Sequence, residues 1–279
     1  MSCAETVLSI GGVETLVREA GAGTPLLYLH GGGGVPTWLP FFEELARHHR
    51  VTVPDHPGFG RSAEPEWIRD VAGLAMFYLD YLDRHANAGG AHLVGHSLGG
   101  WIAAELAARN DHALRSLTLI APAGLPVPAH PFGDVFGWGP QETVRRLFHA
   151  DEHVRAALAR QPTAEQQRVA ARDRRAFDRY AGHPRLTAPD LAHWLHRIRV
   201  PVQLIWGAND EVIPAACAVR WTSPMPTARL SVLPACGHLP MVEKSDETSA
   251  VVLAFVADAA YRRPHRPPER PEQRCDTPH

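Results

Sequence analysis

The chain is almost without lysine: Lys244 stands alone, and the remainder of its 28 basic residues are arginine, a bias read as a codon habit. Against 30 acidic residues the formal net charge is −2, so no basic field exists to hold phosphates, and nucleic acid is excluded as a partner. Long apolar runs are missing too. No stretch of about 18 apolar residues could span a bilayer, and the opening MSCAETVLSI lacks both a positive start and an extended apolar segment. No membrane association is expected, and the address read from these absences is cytoplasmic. Cysteine is scarce: Cys3, Cys217, Cys236 and Cys275 lack the paired short spacing of a zinc knuckle or redox motif and are read as free thiols. Internal repeats are absent as well.

What is present is ordinary globular material, 279 residues with 45% hydrophobic and 21% charged, enough for one large domain with a small insertion. Strand and helix signals alternate along it, which predicts a mostly parallel sheet covered by helices. ETVLSI, Gly11-Gly12 and VETLVREAG read as an opening antiparallel hairpin, because two glycines supply the positive φ of a tight turn. PLLYLHGGGG is a buried strand ending in glycines, WLPFFEELARHH a helix, and RVTVPDHPGFGRS a strand running into a turn. EWIRDVAGLAMFYLDYLDRHAN reads as one long amphipathic helix, AHLVGHS, LRSLTLIAPAG and VPVQLIWGAND as further strands. ARLSVLPACGH and DETSAVVLAFVADAAYRR supply a last strand and a terminal helix. Residues 127–199, rich in Arg, His and Ala, break this rhythm with helical pattern and no convincing strand. They are read as a helical lid inserted into a core of residues 1–126 and 200–261, and the proline- and charge-rich residues 262–279 as a disordered tail.

The chemistry begins in LVGHSLGGWIAAELAARN, residues 93–110. Gly95-His96-Ser97-Leu98-Gly99 fits G-x-S-x-G between an expected strand and an expected helix. So tight a reversal strains the central residue, requires small neighbours, and aims the first free N–H groups of the helix at whatever the serine attacks. Serine is a poor nucleophile at its free pKa, so a base and an orienting carboxylate are needed. WGANDEVIP puts Asp210 after one strand and LPACGHLPMVE puts His238 after the next, and strand ends of such a sheet share one rim. Ser97, Asp210 and His238 are therefore the candidate catalytic residues. Of the seventeen histidines, His96 sits beside the serine but faces away in a tight turn, and His30 and His56 brace the glycine turns. Glu211 is the rival carboxylate. IAPAGLPVP, after the preceding strand, offers no other.

HGGGG at 30–34, DHPGFGRS at 55–62, GHSLGG at 95–100, WGANDEVIP at 206–214 and GHLPMVE at 237–243 together resemble the landmarks of the α/β-hydrolase superfamily, in its order. The resemblance covers the chain to about residue 260 and implies an α/β-hydrolase fold: a mostly parallel eight-stranded sheet with helices on both faces and a helical lid. It also implies an oxyanion hole built from the backbone N–H of Leu98 and one of the glycine loop, Gly32 or Gly33. Glycine is needed there for physical reasons, since a side chain would keep the backbone away from a tetrahedral oxygen. Asp55 and Arg61 in the DHPGFGRS turn are read as loop-holding residues. The lid's place between serine and acid resembles the branch holding carboxylesterases, meta-cleavage-product C–C hydrolases and cofactor-free haloperoxidases. HGGGGV and GHS depart from the HGGGPG and GNS common in C–C hydrolases, and Ser97 stands where haloalkane dehalogenases carry aspartate.

Trp38, Trp101, Phe132, Phe136, Trp138 and Trp194 are the candidate lining of an apolar acyl pocket, with lid-to-sheet packing the alternative for each. The lid arginines, among them Arg145, Arg146, Arg174 and Arg175, read as a solvated helix face rather than a carboxylate clamp. The reading is a serine hydrolase acting through an acyl-enzyme on a small-molecule ester or thioester of a small, mainly apolar acid. C–C hydrolysis of a diketone-like substrate, or lyase or perhydrolase chemistry by the same residues, are its alternatives, and a ligand receptor on the same fold is the non-enzymatic one. None of these requires a metal or organic cofactor. The sequence carries no indication of oligomeric state.

Overall fold

A computed structural model of the chain describes residues 3–86, 89–183, 185–225 and 228–262. Cys275 and the expected tail, Arg262 apart, lie outside the described residues. Gly11 and Gly12, at φ 55° and 82°, turn β1 (Ala4–Ile10) back along β2 (Val13–Ala20). Then follow β3 (Pro25–Leu29), α1 (Pro40–Ala46), β4 (Arg50–Pro54), α2 (Val71–His85), β5 (Ala91–His96), α3 (Leu98–Arg109) and β6 (Leu114–Ile120). Three helices, α4 (Pro140–Leu147), α5 (Asp151–Ala159) and α6 (Ala164–Ala181), precede β7 (Val202–Gly207). The short α7 (Ala218–Thr222), β8 (Arg229–Leu233), α8 (Pro240–Glu243) and α9 (Ser245–Arg262) complete the order.

The strands form an eight-stranded sheet in the order β1-β2-β4-β3-β5-β6-β7-β8, antiparallel where β2 meets β1 and β4 and parallel from β4 to β8. A parallel sheet is buried on both faces, and the period-2 alternation of its side chains shows how. Leu27, Leu29, Leu93, Leu117, Leu119, Leu204 and Trp206 pack in the core that holds Leu74 and Tyr78 of α2 and Ile102 and Leu106 of α3. Their neighbours in sequence, Leu26, Tyr28, Val94, Ile120 and Ile205, pack in the opposite core with Phe41, Phe42 and Leu45 of α1 and Val252 and Phe255 of α9.

The long helix expected from residue 66 begins only at Val71. Asp70 accepts a hydrogen bond from Gly73 N at 2.7 Å, and Ile68 just before it is fully buried. Apolar spacing runs on past the true start, but the capping carboxylate decides where helical backbone begins. Between β6 and β7 the described residues contain no strand, only the isolated bridges Gly124–Thr187 and Val127–His130. Here α6 opens with a capping box of Thr163 and Gln166 and buries Ala176, Phe177 and Tyr180, whereas α4 and α5 bury no residue at all. Among the described residues Cys3, Cys217 and Cys236 are free thiols, and no helix is long and apolar enough to cross a membrane.

One close approach fixes α3 on the sheet. A Cβ added to Gly99 would fall inside the van der Waals shell of the Leu29 carbonyl oxygen, so α3 crosses the end of β3 with no room for a side chain. The contact is to backbone, which cannot rotate away. Gly99→Ala is therefore expected to destabilise the fold by about 3 kcal/mol or more, read as a fall in the urea midpoint; a midpoint within experimental error of wild type would show that the two backbones are not so tightly apposed.

Candidate active site

Ser97 caps α3 with φ 52° and ψ −114°, a conformation costing a non-glycine residue about 1–3 kcal/mol. Neighbouring backbone holds it there. Ser97 N donates to Ile120 O at 2.9 Å, and Ser97 O accepts from Trp101 N and Ala123 N, both at 3.1 Å. The serine at the corner between β5 and α3 is thus gripped from the end of β6 and from the loop beyond it.

The next two strand ends deliver the other candidates. Asp210 follows β7; its Oδ1 accepts from Val212 N and Ile213 N, each at 2.8 Å, which turns Oδ2 toward His238. His238, on the loop after β8, places Nδ1 2.8 Å from that Oδ2, both side chains almost wholly buried. An ionised carboxylate only accepts, so Nδ1 carries the proton and Nε2 is left with a lone pair. Glu211, the rival carboxylate, instead makes an ion pair with Arg146 at the surface. His96 joins the serine loop to the histidine loop: its Nε2 lies 2.9 Å from His238 O, and the two rings are 4.8 Å apart. That bracing contact had no signal in the sequence beyond adjacency to the serine.

The glycine loop lies against the same corner. A Cβ on Gly31 would stand 2.8 Å from His96 Nδ1 and 3.3 Å from Ser97 Cβ, while one on Gly32 would strike the Phe177 ring at 2.6 Å. Gly33 is exposed with open space beside it. Leu98 is the first residue of α3, so its N–H has no acceptor within the helix. Beneath the loop, His30 Nε2 accepts from His56 N at 3.1 Å, His56 Nε2 sits 2.9 Å from His30 O, and His56 Nδ1 reaches Tyr78 Oη at 2.5 Å. Asp55 accepts from Arg18 and from Arg61 N and so closes the DHPGFGRS turn. From α6, buried Asp173 accepts from Gly60 N at 2.7 Å and presses on Gly34, while Arg172 donates to the carbonyls of Gly60 and Ser62. Asp173 escaped the sequence reading because a lone carboxylate in an arginine-rich helix looks like a solvated one.

A cavity of about 390 Å³ is lined by Pro126, Val127, Pro128, Pro131, Phe132 and Phe136 with Asp134, Arg185 and Leu186. Its walls do not include Ser97; the chain from Ala123, bonded to Ser97 O, runs into Pro126 of the wall. Of the six aromatic candidates, Phe132 and Phe136 line it. Trp138 packs beside Gly133 with Arg146 over its ring, and Trp101 is buried against Gly124. Trp38 packs on Phe42 over the opposite face of the sheet, and Trp194 is exposed. Aromatic residues mark apolar contact, and only the fold decides which surface they contact. Several arginines between β6 and β7 bind protein groups: Arg174 donates to Val135 O and Phe136 O, Arg179 to Pro65 O and Glu66 O, and Arg185 pairs with Asp134.

A family model for the alpha/beta hydrolase fold matches residues 24–245. The chain belongs to that family, and it is a hydrolase of the α/β-hydrolase fold. It is 32% identical to 2-hydroxymuconate semialdehyde hydrolase of Pseudomonas sp. (strain CF600), over 89% of this chain and 92% of that protein. To 2-hydroxy-6-oxo-2,4-heptadienoate hydrolase of Pseudomonas putida it is 28% identical, over 88% and 94% of the respective chains. Among solved structures it resembles a membrane phospholipase A, a bacterial virulence factor, with a TM-score of 0.77 and 26% identity over 93% of this chain and 87% of that one.

The hydrolase core carries buried titratable groups whose effects on stability oppose each other. Burial holds His30 down to about 4 and His56 and His96 well below 6.5, so all three are neutral when folded and become protonated when unfolded. Their contribution is present above about 6.5 and lost as pH falls toward 4. Asp173 has the opposite sign: burial, outweighing Gly60 N and Arg172, pushes it from 3.8 to about 6, so its contribution is full below 3.8 and lost as pH rises through 6. Urea unfolding across this range is expected to show wild type losing stability toward acid. Asp173→Asn keeps an acceptor for Gly60 N; it should match wild type near pH 4 and exceed it near pH 7.5, and equal curves at both ends would contradict a costly charge at Asp173.

Proposed function

We propose that the chain is a serine hydrolase in which Ser97, His238 and Asp210 act as a catalytic triad. The observation that supports this most strongly is the buried Asp210–His238 pair on the rim where Ser97 is held in its strained corner. In this reading His238 Nε2 takes the Ser97 hydroxyl proton as Oγ attacks a substrate carbonyl, and the imidazolium is stabilised by Asp210. The tetrahedral oxyanion is met by the N–H of Leu98 and that of Gly32. Gly32 is favoured over Gly33 because it is half-buried beside Gly31, at which an added Cβ would meet Ser97, whereas Gly33 is exposed. His238 then returns the proton to the leaving group, and a water activated by the same imidazole releases the acyl-enzyme.

The substrate in this reading is an ester or thioester of a small, mainly apolar acid. The proline- and phenylalanine-lined cavity suits an apolar acyl group, and the arginine in its wall, Arg185, is already paired with Asp134, so no spare cation waits for a substrate carboxylate. A second reading, C–C bond hydrolysis, draws on the relatives, since the two most similar proteins reported above are named for that substrate type. The same residues would serve it, with His238 protonating a carbon leaving group. The insert of residues 127–199 acts in both readings as a lid.

A fluorophosphonate probe is expected to label the folded wild type and not Ser97→Ala. Asp210→Asn should lower kcat on a p-nitrophenyl ester by about 10⁴, with the fold retained by circular dichroism. An unlabelled, folded wild type would remove the triad reading. In a p-nitrophenyl ester series run beside a C–C cleavage assay, Phe136→Trp should shift the preferred acyl chain to shorter lengths by filling the cavity; an unchanged preference would place the acyl group elsewhere.

A further inference from the structure

GHLPMVE ends in a glutamate to which the proposed triad gives no role. In the structure Glu243 closes the short helix α8 that directly follows His238, and its carboxylate gathers three backbone N–H groups from two separate parts of the chain. Oε2 accepts from Gly237 N at 2.5 Å, the residue before His238. Oε1 accepts from His149 N and Ala150 N, each at 2.8 Å, in the turn between α4 and α5. A fourth bond runs alongside, from His238 N to Leu147 O at 2.9 Å. The fit allows no slack: a Cβ on Gly237 would stand 2.7 Å from Leu147 O and 2.8 Å from His149 N.

This attachment matters because little else holds the α4–α5 hairpin down. Neither helix buries a residue, and the hairpin's apolar hold on the core runs through the partly buried Leu147 at the end of α4. Its polar anchors go to the two loops that bear the imidazole and its carboxylate: to Glu243 and His238 on one, and from Arg146 to Glu211, next to Asp210, on the other. We propose that Glu243 is a positioning residue for His238, locking the histidine loop to the turn at 147–150 so that the imidazole keeps its place only while the α4–α5 hairpin is seated. The role rests on the triad reading for its effect on turnover, but not for its effect on the Asp210–His238 bond.

Two substitutions test it. Glu243→Gln keeps size and shape but has one carbonyl oxygen and one NH₂. Whichever way the amide turns, it opposes an N–H, either that of Gly237 or those of His149 and Ala150. Ala150→Pro deletes one donor from the far side without touching the histidine loop, and the backbone at 150, φ −81°, accepts proline. Each variant is expected to lower kcat on a p-nitrophenyl ester about tenfold or more with KM little changed, because a small displacement of a catalytic group costs the chemical step. Each should also shift or broaden the downfield proton resonance of the His238–Asp210 hydrogen bond, which a merely stabilising role would leave in place. Glu165→Gln, on an exposed pair with Arg168, is the control with unchanged kcat and resonance. If wild type neither labels with fluorophosphonate nor turns over ester, the triad reading fails, and the resonance alone decides the coupling. Should Glu243→Gln not fold, Ala150→Pro carries the test. Folded variants with a wild-type resonance overturn the proposal.

Discussion

Ser97 occupies a backbone conformation that an isolated peptide would leave at once, and the architecture around it is what makes that conformation persist. Three hydrogen bonds grip its amide and carbonyl from Ile120, Trp101 and Ala123, and Gly99 lets α3 pass within contact of the Leu29 carbonyl. Relaxing the serine would mean moving α3 off the ends of β3 and β6, with Ile102 and Leu106 still buried against the strands. Strain of about 1–3 kcal/mol is held by packing that far outweighs it. The same constraint leaves the first amide of α3 beside the serine and unclaimed by the helix.

Around this corner the protein keeps its polar groups neutral or already partnered. His30 and His56 stack at 3.7 Å and bond to each other's backbone, and burial keeps both uncharged. Asp55 is matched by Arg18, and Asp210 by two amides and an imidazole. In a low-dielectric setting a group left unpaired is costly, so these pairings stiffen the frame around the serine corner. Asp173 and Glu243 extend the frame outward. One ties α6 to the glycine turns and the other ties the α4–α5 turn to the histidine loop, each through a carboxylate bonded to backbone amides.

The segment between β6 and β7 has two characters. α6 buries Ala176, Phe177 and Tyr180 and sets Phe177 against Gly32, so it belongs to the core energetically. α4 and α5 bury no residue fully and rest on the partly buried Leu147 together with polar bonds at the surface. Elements of the second kind open at lower free energy than the core they rest on.

Local chemistry was readable in the chain before any fold was known. The hairpin at Gly11-Gly12, the strands that lead toward His30, Ser97 and Asp210, and the order of the serine, aspartate and histidine all rest on short-range rules: turn sterics, period-2 burial, and the spacing of motifs. The start of α2 was misread by a few residues because apolar spacing continues past Asp70, where the capping bond ends it. What only the tertiary structure decided was long-range pairing. Which aromatic residues line the cavity, that Glu211 faces Arg146 while Asp210 meets His238, and that Glu243 joins residues 149 and 150 to 237 depend on contacts between residues far apart in the chain. No local preference encodes such contacts; they exist because a sheet brings the ends of distant strands to one edge.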